Sequence, residues 1–136
     1  MAQIAYGVSV QIPNGPQVAQ TGTKAAEAYD KVELALDAGG AGAAEAVIEI
    51  QPAAAAAVSL LLVKSSIYGP EITYKLSDGT NDSPAVALDA PLFLLGGAVA
   101  LAGVAPKRLK IKNTFAAGDA TKKAAIEILV GRDATP

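Results

Sequence analysis

QIAYGVSVQI, residues 3–12, places Ile4, Tyr6, Val8, Val10 and Ile12 on even positions, with Gln3, Ala5, Gly7, Ser9 and Gln11 between them. A period of two marks a β-strand with one buried face, because successive side chains of a strand point to opposite sides. Pro13-Asn14-Gly15-Pro16 stops the run. Proline offers no N–H to a ladder, and Asn-Gly suits a turn. Residues 17–27 are small and polar. We expect a long loop or extended arm over 13–28, with Asn14, Gln17, Gln20 and Thr23 along it.

The alternation recurs down the chain. Residues 29–36 are expected as a strand with Val32, Leu34 and Leu36 inward and Lys31 and Glu33 outward. Residues 45–51 follow, ended by Pro52. The five alanines at 53–57 favour helix but are too few to nucleate one, so a turn or single helical turn is expected. Residues 58–64, VSLLLVK, read as a central strand covered on both faces. Further strands are expected over 72–76, 85–88, 107–113 and 124–130. The runs 92–95 and 98–101 flank Gly96-Gly97. They fit either a tight hairpin or a loop whose leucines plug one end of the fold. Eight or nine strands without an amphipathic helix predict an all-β fold. We expect an antiparallel β-sandwich or jelly roll in a single domain over 1–136, with an up-and-down barrel second.

Apolar residues make up 51% of the chain and charged residues 18%. Alanine supplies 30 of the apolar residues and little burial energy. Even so, so few charges leave apolar surface uncovered in a monomer, which predicts self-association. The net charge of −2 gives no general pull toward nucleic acid. Basic residues gather late, at Lys107, Arg108, Lys110, Lys112, Lys122 and Lys123, opposed by Asp119. They fit a solvated strand face or a contact with an acidic partner. The start has no basic segment leading an apolar core, and no unbroken apolar run reaches ~18 residues. We therefore expect synthesis in the cytoplasm and neither a leader nor a membrane span.

The chain has no His, Cys or Trp. It therefore lacks a proton shuttle near neutral pH, a thiol nucleophile and thiolate metal ligands. No catalytic residue, cofactor site or metal site is expected, and no enzyme activity. Asp78-Gly79-Thr80-Asn81-Asp82 offers oxygen ligands, but without EF-hand spacing or a closing Glu it reads as a turn. Asn81-Asp82-Ser83 matches a glycosylation sequon, with Pro84 directly after it. Gly39-Gly40-Ala41-Gly42 lacks the helix and Lys-Ser/Thr pair of a phosphate loop. The aromatics are Tyr6, Tyr29, Tyr68, Tyr74, Phe93 and Phe115. Tyr6 and Tyr74 share parity with core residues, while Tyr68 and Phe115 lie near turns and are candidates for exposure. The basic strand contains no aromatic to stack on bases.

Several features together resemble the small all-β virion proteins of tailed bacteriophages, in particular head decoration (cement) proteins. They are the Met1-Ala2 start leading directly into a strand, the polar 13–27 segment, and ITYKLSDGT followed by KRLKIKN. The abundance of small residues and the short tail from Gly131 to Pro136 complete them. The resemblance implies a non-enzymatic structural protein of the virion. Such a protein binds between subunits of the major capsid protein, commonly as a homotrimer. It implies that the 13–28 arm lies across the shell, and that Lys107, Arg108, Lys110 and Lys112 meet an acidic capsid surface. The alternatives are a carbohydrate- or ligand-binding sandwich module and a phage tail or fibre subunit.

Overall fold

The computed structural model describes residues 2–52 and 58–133. Among them are ten strands. They are β1 Ala2–Gln11, β2 Gln17–Ala26, β3 Ala28–Leu36, β4 Ala46–Glu49, β5 Val58–Ser65, β6 Gly69–Ser77, β7 Val86–Leu88, β8 Leu92–Leu95, β9 Arg108–Asn113 and β10 Ala124–Arg132. The expected turn at 53–57 and the last three residues lie outside the described residues. The strands form two four-stranded antiparallel sheets and one two-stranded ribbon. The first sheet runs β3-β10-β5-β8, the second β4-β9-β6-β7, and the ribbon is β1-β2. This is the predicted all-β sandwich, with the ribbon added to it.

The alternation read from the sequence separates the two faces of each sheet. In the first sheet Leu61 faces Val130, Val63 faces Ile128 and Leu34 faces Ile126 across the ladders, so these side chains share the inner face. In the second, Leu109 and Ile111 pair with Leu76 and Tyr74. Ile50, Leu61, Val63, Ile72, Leu109, Ile111 and Ile128 are fully buried between the sheets. Leu60, on the opposite face of β5, is buried as well. The ribbon covers this second face in part: Leu62 is half-buried and Lys64 is exposed, so residues 58–64, expected to be covered on both faces, are so covered only near Leu60.

One buried polar side chain ties the two sheets together. Asn113, at the end of β9, donates from Nδ2 to the Leu36 carbonyl at 3.1 Å and to the Lys122 carbonyl at 2.7 Å. Its Oδ1 accepts from the Phe115 N–H at 3.1 Å. Leu36 ends β3 and Lys122 lies just before β10, so β9 of the second sheet is stitched to both strands of the first. Burial of an amide is tolerable because its hydrogen-bonding capacity is used.

Three local expectations are corrected. Residues 17–26 are a strand and not a loop, paired with β1 through ten consecutive partners from Ala2↔Ala26 to Gln11↔Gln17. Cross-strand pairing decides that segment, and its threonines suit an exposed strand. The alternation of residues 3–12 does not bury a whole face, because only Ile4 and Tyr6 are covered, while Val8, Val10 and Ile12 are exposed. Gly96-Gly97 does not turn a hairpin. Gly96, at φ 59, opens a 3-10 segment, Gly96–Ala102, which buries Val99 and leaves Leu101 in solvent.

Candidate docking surface

The ribbon is built around Pro13-Asn14. Gly15 N–H donates to the Ile12 carbonyl at 2.8 Å, and Ile12 N–H donates to the Pro16 carbonyl at 3.0 Å. Asn14 takes φ 58, a left-handed value that Asn accepts more readily than most residues. Register puts Ile4, Tyr6, Val8 and Val10 on the same face as Val18, Gln20, Gly22 and Lys24. The base of this face lies on the outer side of the first sheet. Ile4, Tyr6, Leu60, Leu62, Phe93 and Leu129 enclose an apolar groove there of about 290 Å³. The Tyr6 and Phe93 rings meet at 6.4 Å between centroids.

Two glycines make this seat possible. A Cβ on Gly131 would fall 2.8 Å from Ile4 Cδ1, and a Cβ on Gly22 would fall 2.6 Å from Tyr6 Oη. Both positions stay bare so that the ribbon's own side chains fit. Beyond the seat the ribbon runs free. Val8, Val10, Ile12 and Val18 are 41%, 62%, 56% and 72% exposed. No charged side chain precedes Lys24, and neither outer edge of the ribbon pairs with another strand among the described residues. Exposed strand edges are ordinarily blunted by charge or proline. Along β1 and β2 only Lys24, near the base, does so. The arm candidates all lie on this ribbon. Asn14 is in its turn, Gln17 donates to Ser9 Oγ at 3.1 Å, Gln20 donates to the Thr21 carbonyl at 3.0 Å, and Thr23 is on the polar face.

A second apolar surface opens between the edge strands β7 and β8. Tyr74, Leu76, Pro84, Val86, Leu92, Leu94 and Leu101 are among the residues lining a cleft of about 310 Å³. Val86 and Leu101 at its rim are 45% and 83% exposed. No charged residue lines it. Burial in this cleft, with the Asp89 charge second, pushes the Tyr74 hydroxyl above its ordinary pKa.

The basic row is interleaved with acids. Arg108, Lys110 and Lys112 alternate along β9 on the outer face of the second sheet. Arg108 pairs with Glu49 at 2.8 Å, Lys110 with Asp82 at 3.0 Å, and neighbouring Lys75 with Glu45 at 3.5 Å. Lys112 continues the row, and Lys107 precedes the strand with its N–H on the Ser77 carbonyl at 2.8 Å. The structure thus brings Arg108, Lys110 and Lys112 together as a face of mixed charge, with Lys107 just before the strand.

The remaining candidates serve the fold. Asp78 Oδ1 accepts from Thr80 N–H at 2.8 Å and Asn81 N–H at 2.6 Å, which closes the 78–81 turn. Those bonds, the Asn81 N–H first, hold its carboxyl below the usual range. No cluster of three potential metal-ligating side chains occurs among the described residues. Gly39 and Gly40 N–H groups donate to the Asn113 and Phe115 carbonyls. The Tyr68 hydroxyl accepts from Ser65 N–H at 3.1 Å, and Lys122 Nζ lies 4.9 Å above the Phe115 ring. Neither ring is therefore a bare platform. Among the described residues no helix is long and apolar enough to cross a membrane. The ribbon's exposed face was the feature sequence reasoning missed. Its signal was the absence of charge before Lys24 together with an alternation that continues as far as the turn. Comparisons with family models, with curated proteins and with solved structures gave no match.

Proposed function

We propose that this chain is a non-enzymatic structural subunit of a phage virion, of the head decoration type, and that the β1-β2 ribbon is its docking element. The observation that carries the proposal is the ribbon itself, an apolar-faced arm that carries no charge before Lys24 at its base and projects past its seat with both edges open. A surface of that kind ordinarily marks a contact with another chain. The resemblance of the sequence to cement proteins supplies the setting, a neighbouring subunit in a shell. The mixed-charge face of β9 is a second surface suited to a capsid protein, through rearranged ion pairs rather than bulk attraction.

The test is co-sedimentation with empty shells of the major capsid protein encoded in the same genome. The intact chain should pellet saturably with the shells and raise their melting temperature. A variant in which Asn-Gly replaces residues 9–19 closes the ribbon on the hydrogen-bonded Val8↔Gln20 pair, removes Val10, Ile12 and Val18, and keeps its seat. It should bind more weakly. A wild-type chain that stays in the supernatant at every salt concentration would overturn the proposal.

A further inference from the structure

We infer that the ribbon tip of one copy docks into the β7/β8 cleft of a second copy, forming a head-to-tail contact. This rests on the reading of the ribbon as a docking element and gives that element a second partner, met when no shell is present.

The two surfaces match in chemistry. The tip presents Val8, Val10, Ile12 and Val18 without charge, and the cleft presents Tyr74, Leu92 and Leu94 behind Val86 and Leu101, also without charge. These six exposed aliphatic side chains are most of the large apolar residues left in solvent, and each of the two groups is contiguous. A strongly charged partner would find nothing on the tip to pair with. A second copy meets an uncharged cleft and no like-charge repulsion across it. The cleft also lies where each sheet ends in a short strand. β7 and β8 offer open edges there, and the tip strands carry open edges of their own. Main-chain pairing can therefore add to side-chain burial.

Size decides the form of association. The four tip residues expose roughly 200–300 Å² of apolar side chain, taking full burial of each as about 100 Å². A standard interface buries about 800 Å² per partner. One contact is therefore weak. Each copy carries one tip and one cleft, so each can make two contacts, and a heterologous contact propagates into a closed ring or an open chain.

The test is light scattering behind a sizing column, over a range of protein concentrations and without any shell present. The wild-type mass should rise with concentration and be little changed by salt. Val10→Asp with Val18→Lys, which sets opposite charges on directly paired positions and so leaves the ribbon intact, should weaken association by roughly thirty-fold, the scale of one hot-spot residue. Val86→Asp with Leu101→Asp should do the same. All four side chains are exposed, so the fold is not at risk, and the ribbon-shortened chain serves as a third variant. Mixing the two double variants leaves one sound tip and one sound cleft, and should give a dimer that grows no further. Continued self-association of the cleft variant would mean that ribbon pairs with ribbon, and would overturn the inference. A wild-type chain that stays monomeric at high concentration would also overturn it. Ribbon-dependent shell binding by such a monomer would leave the proposed function standing.

Discussion

Replacing Asn113 tests whether one amide holds the two sheets together. Its side chain makes three hydrogen bonds, to the Leu36 carbonyl, the Lys122 carbonyl and the Phe115 N–H, and the residue is buried. A buried group left without its partner costs about 1–3 kcal/mol. Relaxation and water entry recover part of that, so Asn113→Ala should lose about 3 kcal/mol. That is a large fraction of the ~5–15 kcal/mol available to a domain. Asn113→Asp adds a dependence on pH. The neutral acid can accept from Phe115 N–H and donate to one carbonyl, whereas the carboxylate turns negative charge toward both. Burial and the two carbonyls therefore raise the folded pKa above the unfolded value of about 3.9. Stability of this variant relative to wild type should be greatest below pH ~4. It should fall as pH rises through the folded pKa, by up to ~1.4 kcal/mol per unit. Urea unfolding of the three proteins at several pH values between 4 and 8 measures it. An Ala variant within ~0.5 kcal/mol of wild type, or an Asp variant whose deficit ignores pH, would refute the role given to Asn113.

Three further outcomes are expected. Gly131→Leu should lift Ile4 from its seat, because the added Cβ alone falls 2.8 Å from Ile4 Cδ1. Trypsin should then cut faster at half-buried Lys24 while amide exchange in β5 and β10 stays slow; unchanged cleavage would show that the ribbon is not seated there. Ile128→Ala should cost about 2–5 kcal/mol, the range for emptying a packed aliphatic site, and a calorimetric loss under 1 kcal/mol would show a loosely filled core. Asp78, Asp82 and Asp119 have carboxyls held below the usual range by the Asn81 N–H, the Ser77 hydroxyl and the Thr121 hydroxyl respectively. Their stabilisation is present above the unfolded pKa of about 3.9 and fades as pH falls through the lower folded values. Carbon-detected NMR titration should find all three midpoints below that of a free aspartate.

Much of the fold was legible because period-two burial is a local signal. Val32, Leu34 and Leu36 alternate with charged neighbours, and so do Leu109 and Ile111, so each strand declares its inner face. Residues 17–26 gave no such signal. Val18 is the only large apolar residue among them, and they are a strand because β1 lies alongside. The same limit hid the exposure of Val8 and Val10. Alternation says that a face exists, but what lies opposite that face is a tertiary fact. The four basic residues at 107–112 were legible as a group. Their acidic partners, Glu49 and Asp82, are distant in sequence and could not be matched to them.

The strand order also sets a timetable for synthesis. β9 lies between β4 and β6, and β10 lies between β3 and β5, so one inner strand of each sheet is made after both of its neighbours. Ribosomes add about 5–20 residues per second, so roughly 5–20 s separate the completion of the ribbon from that of β10. Throughout that interval the ribbon can pair locally, but its seat on β5 and β10 does not yet exist. A nascent chain thus carries the whole ribbon exposed, base and tip alike, until β10 is made and the base can be seated. The absence of charge that makes the ribbon a gripping arm is therefore also the chain's main hazard while it is being made.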